Sequence, residues 1–179
     1  MADMAGERGS RAEAEEGAPQ PSRDTQVGWL LVGIQALLLV LLVLLPKRTG
    51  LGDVWPPTVP SVIGLVLMCC GLILAALSLL ALGSALTPTP VPQEGAALRT
   101  AGVYGVVRHP IYVGVLIAAA GFTIAVGSWW QVLMLVLLAG FFIGKALWED
   151  HLLAERHGVL WYDYADHVGG FLPRIRSTR

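Results

Sequence analysis

Two short stretches concentrate the side chains able to do chemistry. Arg108-His109-Pro110-Ile111-Tyr112 sets a guanidinium, an imidazole and a phenol within one or two helical turns. Lys145, Glu149 and Asp150 form the second group, in Lys-Ala-Leu-Trp-Glu-Asp. Lys145 and Glu149 are four apart and share one helix face. Proline suits the first turn of a helix, so a helix is expected to begin at Arg108-His109-Pro110. Its leading N–H groups and dipole would favour an anion, with Arg108 and His109 as added donors and Tyr112 as a hydroxyl at the same depth. The ordinary alternative makes Arg108 and Tyr112 interfacial anchors and His109 a helix cap. For the second stretch it lets Lys145 snorkel and pair with Glu149, although Lys before Glu is the weaker order for such a pair. His151, Glu155 and His157 lack H-E-x-x-H spacing, so no metal site is expected.

The elements that must position these groups are apolar. Of 179 residues, 55% are hydrophobic and 14% charged, against about 25% charged in ordinary soluble domains. The formal net charge of −1 argues against nucleic acid as a partner. The apolar excess is clustered. Gly28 to Pro46 carries no charge and at 1.5 Å per residue covers about 28 Å, enough for a hydrocarbon core. Further runs cover 61–86, 111–126 and 129–147, the last interrupted by Lys145. Four such runs without a polar face predict an all-α integral membrane bundle of four spans, 27–179, with a C-terminal helical tail. Residues 1–26 read as a disordered cytoplasmic tail. Thr-Pro-Thr-Pro-Val-Pro (87–92) cannot be helix interior. Gly140-x-x-x-Gly144 is expected to pack closely on a neighbouring helix. Tyr162, Tyr164 and Phe171 are expected to fold the tail onto the membrane surface.

With four spans, both termini and the 87–110 loop share one side. That side holds Arg8, Arg11, Arg23, Arg99, Arg108, Lys145, Arg156, Arg174, Arg176 and Arg179; the other holds Lys47 and Arg48. The imbalance puts the termini in the cytoplasm. Arg outnumbers Lys and Ala, Gly, Leu and Val dominate, which hints at a GC-rich bacterial gene and hence an inner membrane. Gly127-Ser128 makes the last two spans a tight hairpin. Its open end should bring His109 and Glu149 together, 40 positions apart in sequence. Two acids at a membrane surface are unusual unless a cation or hydroxyls need them.

Leu98-Arg-Thr-Ala-Gly-Val-Tyr-Gly-Val-Val-Arg-His-Pro-Ile-Tyr-Val-Gly114, followed by a hairpin, Glu149-Asp150, Gly158, Tyr162, Tyr164 and Leu172-Pro173, resembles the isoprenylcysteine carboxyl methyltransferases and their relatives the phospholipid N-methyltransferases. The resemblance covers about 95–179. It implies a membrane enzyme using S-adenosylmethionine, with the cofactor pocket at the cytoplasmic end of the last two spans. It further implies that Leu98 and Arg99 line the adenosine side, that Tyr104, His109, Pro110 and Tyr112 contact the cofactor, and that Glu149 holds its polar groups. Lys145 stands where relatives usually have an acceptor-binding Arg; it keeps the charge but not the bidentate fork. Arg108 joins it on the acceptor side. Val103 and His157 depart from the commoner family residues.

The residues alone are compatible with this. Methyl transfer from a sulfonium is a displacement in which positioning supplies most of the catalysis. The acceptor would be apolar and membrane-borne, with oligomeric state open. A carboxylate acceptor needs no base; an amine would need His109 or Glu149 to take a proton. Two other classes remain in view: a nicotinamide-dependent lipid reductase, whose segment typically has an acid where this chain has Val115, and a non-catalytic membrane protein of the same fold.

Overall fold

The computed structural model describes residues 23–46, 59–83 and 97–174. These form five helices: α1 Arg23–Leu44, α2 Val59–Leu82, α3 Pro110–Val126, α4 Trp129–His157 and α5 Val159–His167, with a 3-10 turn at Gly102–Gly105. There is no strand among the described residues; Val107 and Gly169 make one isolated parallel bridge. Among the described residues three stretches are long and apolar enough to cross a membrane: Arg23–Leu44, Pro60–Leu82 and Trp129–His157. Helix α3 is apolar but shorter, at 17 residues or about 25 Å. Large apolar side chains such as Leu30, Leu44, Val62 and Leu80 face outward. Such a surface suits lipid rather than water.

Helix α1 begins at Arg23, inside the stretch expected to be tail, and residues 1–22 lie outside the described residues. So do 87–92, Lys47 and Arg48. Helix α4 runs ten residues past the end of its apolar run, because hydrophobicity marks the hydrocarbon depth and not the helix end. It stops at Gly158, whose φ of 53° is accessible at little cost only to glycine. The α3–α4 hairpin turns where expected. Gly127 takes a left-handed conformation, φ 64°, and its N–H closes on the Thr123 carbonyl at 2.9 Å.

The closest helix pair is α2–α3, and glycines set its distance. A Cβ at Gly64 would lie 2.5 Å from the Gly121 carbonyl oxygen, and one at Gly114 would lie 2.6 Å from the Ala75 nitrogen. Gly71 meets Gly114 and Ala118, and Gly121 meets Gly64 and Met68, in the same way. Gly140 and Gly144, by contrast, have open space where a Cβ would go. The close packing expected of them falls on a different seam, since their face of α4 points away from the other helices. Helix α1 lies on α4 and on the shared core of Leu42, Tyr112, Ala119, Met134, Leu138, Phe142 and Ala146. At that end Gln131 Nε2 donates to the Leu42 and Leu45 carbonyls, at 3.3 and 3.2 Å, and Ser128 Oγ to the Pro46 carbonyl at 3.2 Å. These bonds cap carbonyls that the end of α1 leaves without helical partners.

Candidate functional site

The start of α3 and the second half of α4 meet at the open end of the hairpin. Pro110 occupies the first turn of α3, fully buried, with His109 as its N-terminal flanking residue. One turn into the helix, the Tyr112 hydroxyl donates to Glu149 Oε2 at 2.7 Å. His109 Nδ1 lies 3.6 Å from the same oxygen. Its Nε2 lies 3.0 Å from Asp150 Oδ1. An ionised carboxylate only accepts, so with Asp150 charged the Nε2 atom carries the hydrogen and Nδ1 faces Glu149. The two acids therefore divide the imidazole between them. Asp150 also takes Arg108 Nη2 at 3.0 Å.

Aromatic rings wall the group. His109 stacks on Tyr112, centroids 5.3 Å apart, and Tyr112 stacks on Phe142 at 4.7 Å. Phe171 tilts against His109 at 5.8 Å. Lys145, 6% exposed, brings its ammonium to 5.2 Å from the Tyr112 ring centroid and donates to Gln35 Oε1 on α1 at 2.6 Å. It neither snorkels outward nor takes Glu149 as its hydrogen-bond partner.

The C-terminal tail closes the other side. The Arg108 and His109 N–H groups donate to the Gly169 and Gly170 carbonyls at 2.8 and 3.0 Å. Arg108 Nη1 donates to the Val168 and Ala165 carbonyls at 2.7 and 3.2 Å, and its guanidinium lies 5.6 Å from the Trp161 ring centroid. Arg108 is thus tied into the chain's own tail. Tyr164 is buried and its hydroxyl donates to the Tyr104 carbonyl at 2.6 Å. Tyr164 and Phe171, expected on the membrane surface, turn inward because this carbonyl and the His109 ring give them partners there; Tyr162 stays exposed. Tyr104 is buried too, its hydroxyl 3.4 Å from the Ser78 carbonyl of α2. Burial, then the charge of Glu149, pushes the Tyr104 phenol up to about 12. Burial likewise pushes Tyr164 up to about 12.

Of the residues singled out from sequence, His109, Pro110, Tyr112 and Glu149 come together, with Lys145 and Arg108 beside them. Tyr104 lies one layer away. Leu98 lines a separate open hollow of about 560 Å³ with Thr100, His157, Leu160, Asp163 and Tyr164. Arg99 is exposed next to it. His151 and Glu155 pair with each other on the exposed side of α4, 3.2 Å apart. Sequence reasoning missed the split between the two acids: Asp150, not Glu149, binds Arg108 and His109 Nε2. It also missed Gln35, whose only signal was being the one hydrophilic side chain in its run.

A family model described as phospholipid methyltransferase matches residues 59–159. Among curated proteins none matches the chain.

Proposed function

The chain belongs to the phospholipid methyltransferase family, which takes in the isoprenylcysteine methyltransferases, and from that premise we propose that it transfers methyl groups from S-adenosylmethionine to a lipophilic, membrane-borne acceptor bearing a carboxylate or an amine. Family membership favours this reading over a reductase. The observation that carries the proposal is the convergence of Tyr112, His109 and Glu149 at the open end of the hairpin.

The residues suit the cofactor chemically. Glu149 offers a carboxylate for its amine or ribose hydroxyls, the Phe171 ring offers a face to a cation, and the hollow at Leu98 offers apolar surface for a base. Bound there, S-adenosylmethionine supplies an electrophilic methyl carbon on a positively charged sulfur. Tyr112 fixes Glu149 by donating to Oε2. Asp150 fixes the His109 ring and leaves Nδ1 facing Glu149. Lys145 meets the acceptor's oxygen, Arg108 shapes the acceptor side by holding Asp150 and the tail, and Leu98 and Arg99 border the adenosine side. With an amine acceptor, His109 Nδ1 or Glu149 takes the proton the nitrogen sheds; with a carboxylate acceptor no proton moves.

For topology we read α3 as a fourth, short span, which places both termini and the site on the cytoplasmic side of an inner membrane. Calorimetry with S-adenosylhomocysteine, in lipid nanodiscs, tests the reading. Wild type should bind and Glu149→Ala should not. No heat from wild type at saturating ligand would refute the reading, and normal binding by Glu149→Ala would refute its assignment of Glu149.

A further inference from the structure

Gln35 sits midway along α1, in the uncharged run from Gly28 to Pro46. A hydrophilic side chain at that depth is costly unless it is bonded within the protein. Its Oε1 accepts from Lys145 Nζ at 2.6 Å, a short charge-assisted bond across two helices. On α4 alone, the same ammonium has a carboxylate within reach on its own face, at Glu149 four residues on. That pair would cover the carboxylate at the centre of the site. Instead the ammonium is drawn to α1 and lies over the Tyr112 ring, while Glu149 Oε2 takes the Tyr112 hydroxyl. An ammonium has three donors, so Gln35 can hold one while the others serve an acceptor oxygen.

We propose that Gln35 is a positioning residue of the acceptor site, holding the Lys145 ammonium over Tyr112 and off Glu149, so that α1 completes a site otherwise built by α3, α4 and the tail. This rests on the methyltransferase reading for what the ammonium serves, but the pairing can be tested without any ligand. Lys47 and Lys145 are the only lysines, so Lys47→Arg leaves one side-chain ammonium to follow by nitrogen-15 NMR in lipid nanodiscs. In that background Gln35→Leu should speed solvent exchange of the Lys145 ammonium protons about tenfold, the effect of losing about 1.4 kcal/mol of hydrogen bonding. It should also make the resonance move further on adding Glu149→Gln than it does while Gln35 is present. Gln35→Glu, which still accepts the bond, should restore slow exchange. With total membrane lipid extract as acceptor mixture and labelled S-adenosylmethionine, Gln35→Leu should raise the KM for lipid about tenfold at unchanged kcat. A Lys145 signal unaltered by Gln35→Leu would overturn the proposal, and so would a fall in kcat at constant KM. A wild-type chain that binds no S-adenosylhomocysteine would overturn the methyltransferase reading and leave the pairing to be decided by the NMR result.

Discussion

Asp150 and Glu149 are neighbours of the same chemistry, and the structure gives them different work. The Asp150 side chain is 12% exposed and accepts from Arg108 Nη2 and from His109 Nε2, each at 3.0 Å. Glu149 is 25% exposed at its side chain, and its one close donor is the Tyr112 hydroxyl. Asp150→Asn keeps the shape, removes the charge and turns an NH2 toward one of the two donors. Breaking a buried ion pair by removing one partner costs about 3–5 kcal/mol. Here Arg108 keeps the Ala165 and Val168 carbonyls and Asn keeps one acceptor oxygen. We therefore expect a loss just below that range, about 2–3 kcal/mol. In a chain of this length that corresponds to a Tm lower by roughly 5–10 °C. Tryptophan fluorescence during thermal unfolding in detergent, beside calorimetry with S-adenosylhomocysteine, separates the two acids. Asp150→Asn should lose the Tm. Glu149→Gln should keep Tm within about 2 °C and lose the ligand. Equal Tm losses in the two variants, or none in Asp150→Asn, would refute the division between a carboxylate that holds the fold and one that faces the ligand.

The glycine seam makes an unequal pair of predictions: Gly71→Leu or Gly114→Val should leave little folded protein by size-exclusion chromatography, while Gly140→Ala and Gly144→Ala should be neutral or raise Tm slightly, since their Cβ positions are open and Ala is the better helix former. The pH dependence has a definite sign. Tyr104 and Tyr164 ionise near 10 when unfolded and at about 12 when folded, so both states hold the protons below 10 and only the folded state holds them above it. Thermal stability should therefore fall as pH rises from 10 to 12, and Tyr164→Phe should flatten that fall while lowering Tm at neutral pH by the loss of its bond to the Tyr104 carbonyl.

The chemistry was legible in the sequence where it was local. Arg108-His109-Pro110-x-Tyr112 announces a helix start with reactive groups on its first turn, and Glu149 stands on the same hairpin at the same end. Spacing alone does not choose between Glu149 and Asp150, because adjacent residues on a helix point about 100° apart and nothing in it says which direction faces α3; only the family resemblance singles out Glu149. The glycine seam was misjudged for a similar reason. A four-residue spacing at Gly140 and Gly144 drew attention, yet the glycines in close contact are seven apart, Gly64 with Gly71 and Gly114 with Gly121. Seven residues return to nearly the same helix face, so either spacing makes a stripe. Only the partner helix decides which stripe is used.

The residues that close the site lie largely outside the stretch matched to the family, 59–159. Gln35 comes from before it, and Tyr164, Gly169, Gly170 and Phe171 come from after it. Low-dielectric surroundings explain why flanks are needed. A guanidinium, an imidazole, an ammonium and two carboxylates at the end of an apolar hairpin each need a partner, because water is scarce there and an unpaired charge is costly. Arg108 takes its extra acceptors from Ala165 and Val168, and Lys145 takes Gln35. Were the partners drawn from the hairpin itself, Lys145 would pair with Glu149 four residues on, as helix spacing allows. Satisfying the surplus donors from α1 and from the tail is what leaves Glu149 with only Tyr112 and His109 close by. The flanking segments thus leave the Glu149 carboxylate without a direct ion pair to Lys145 or Arg108.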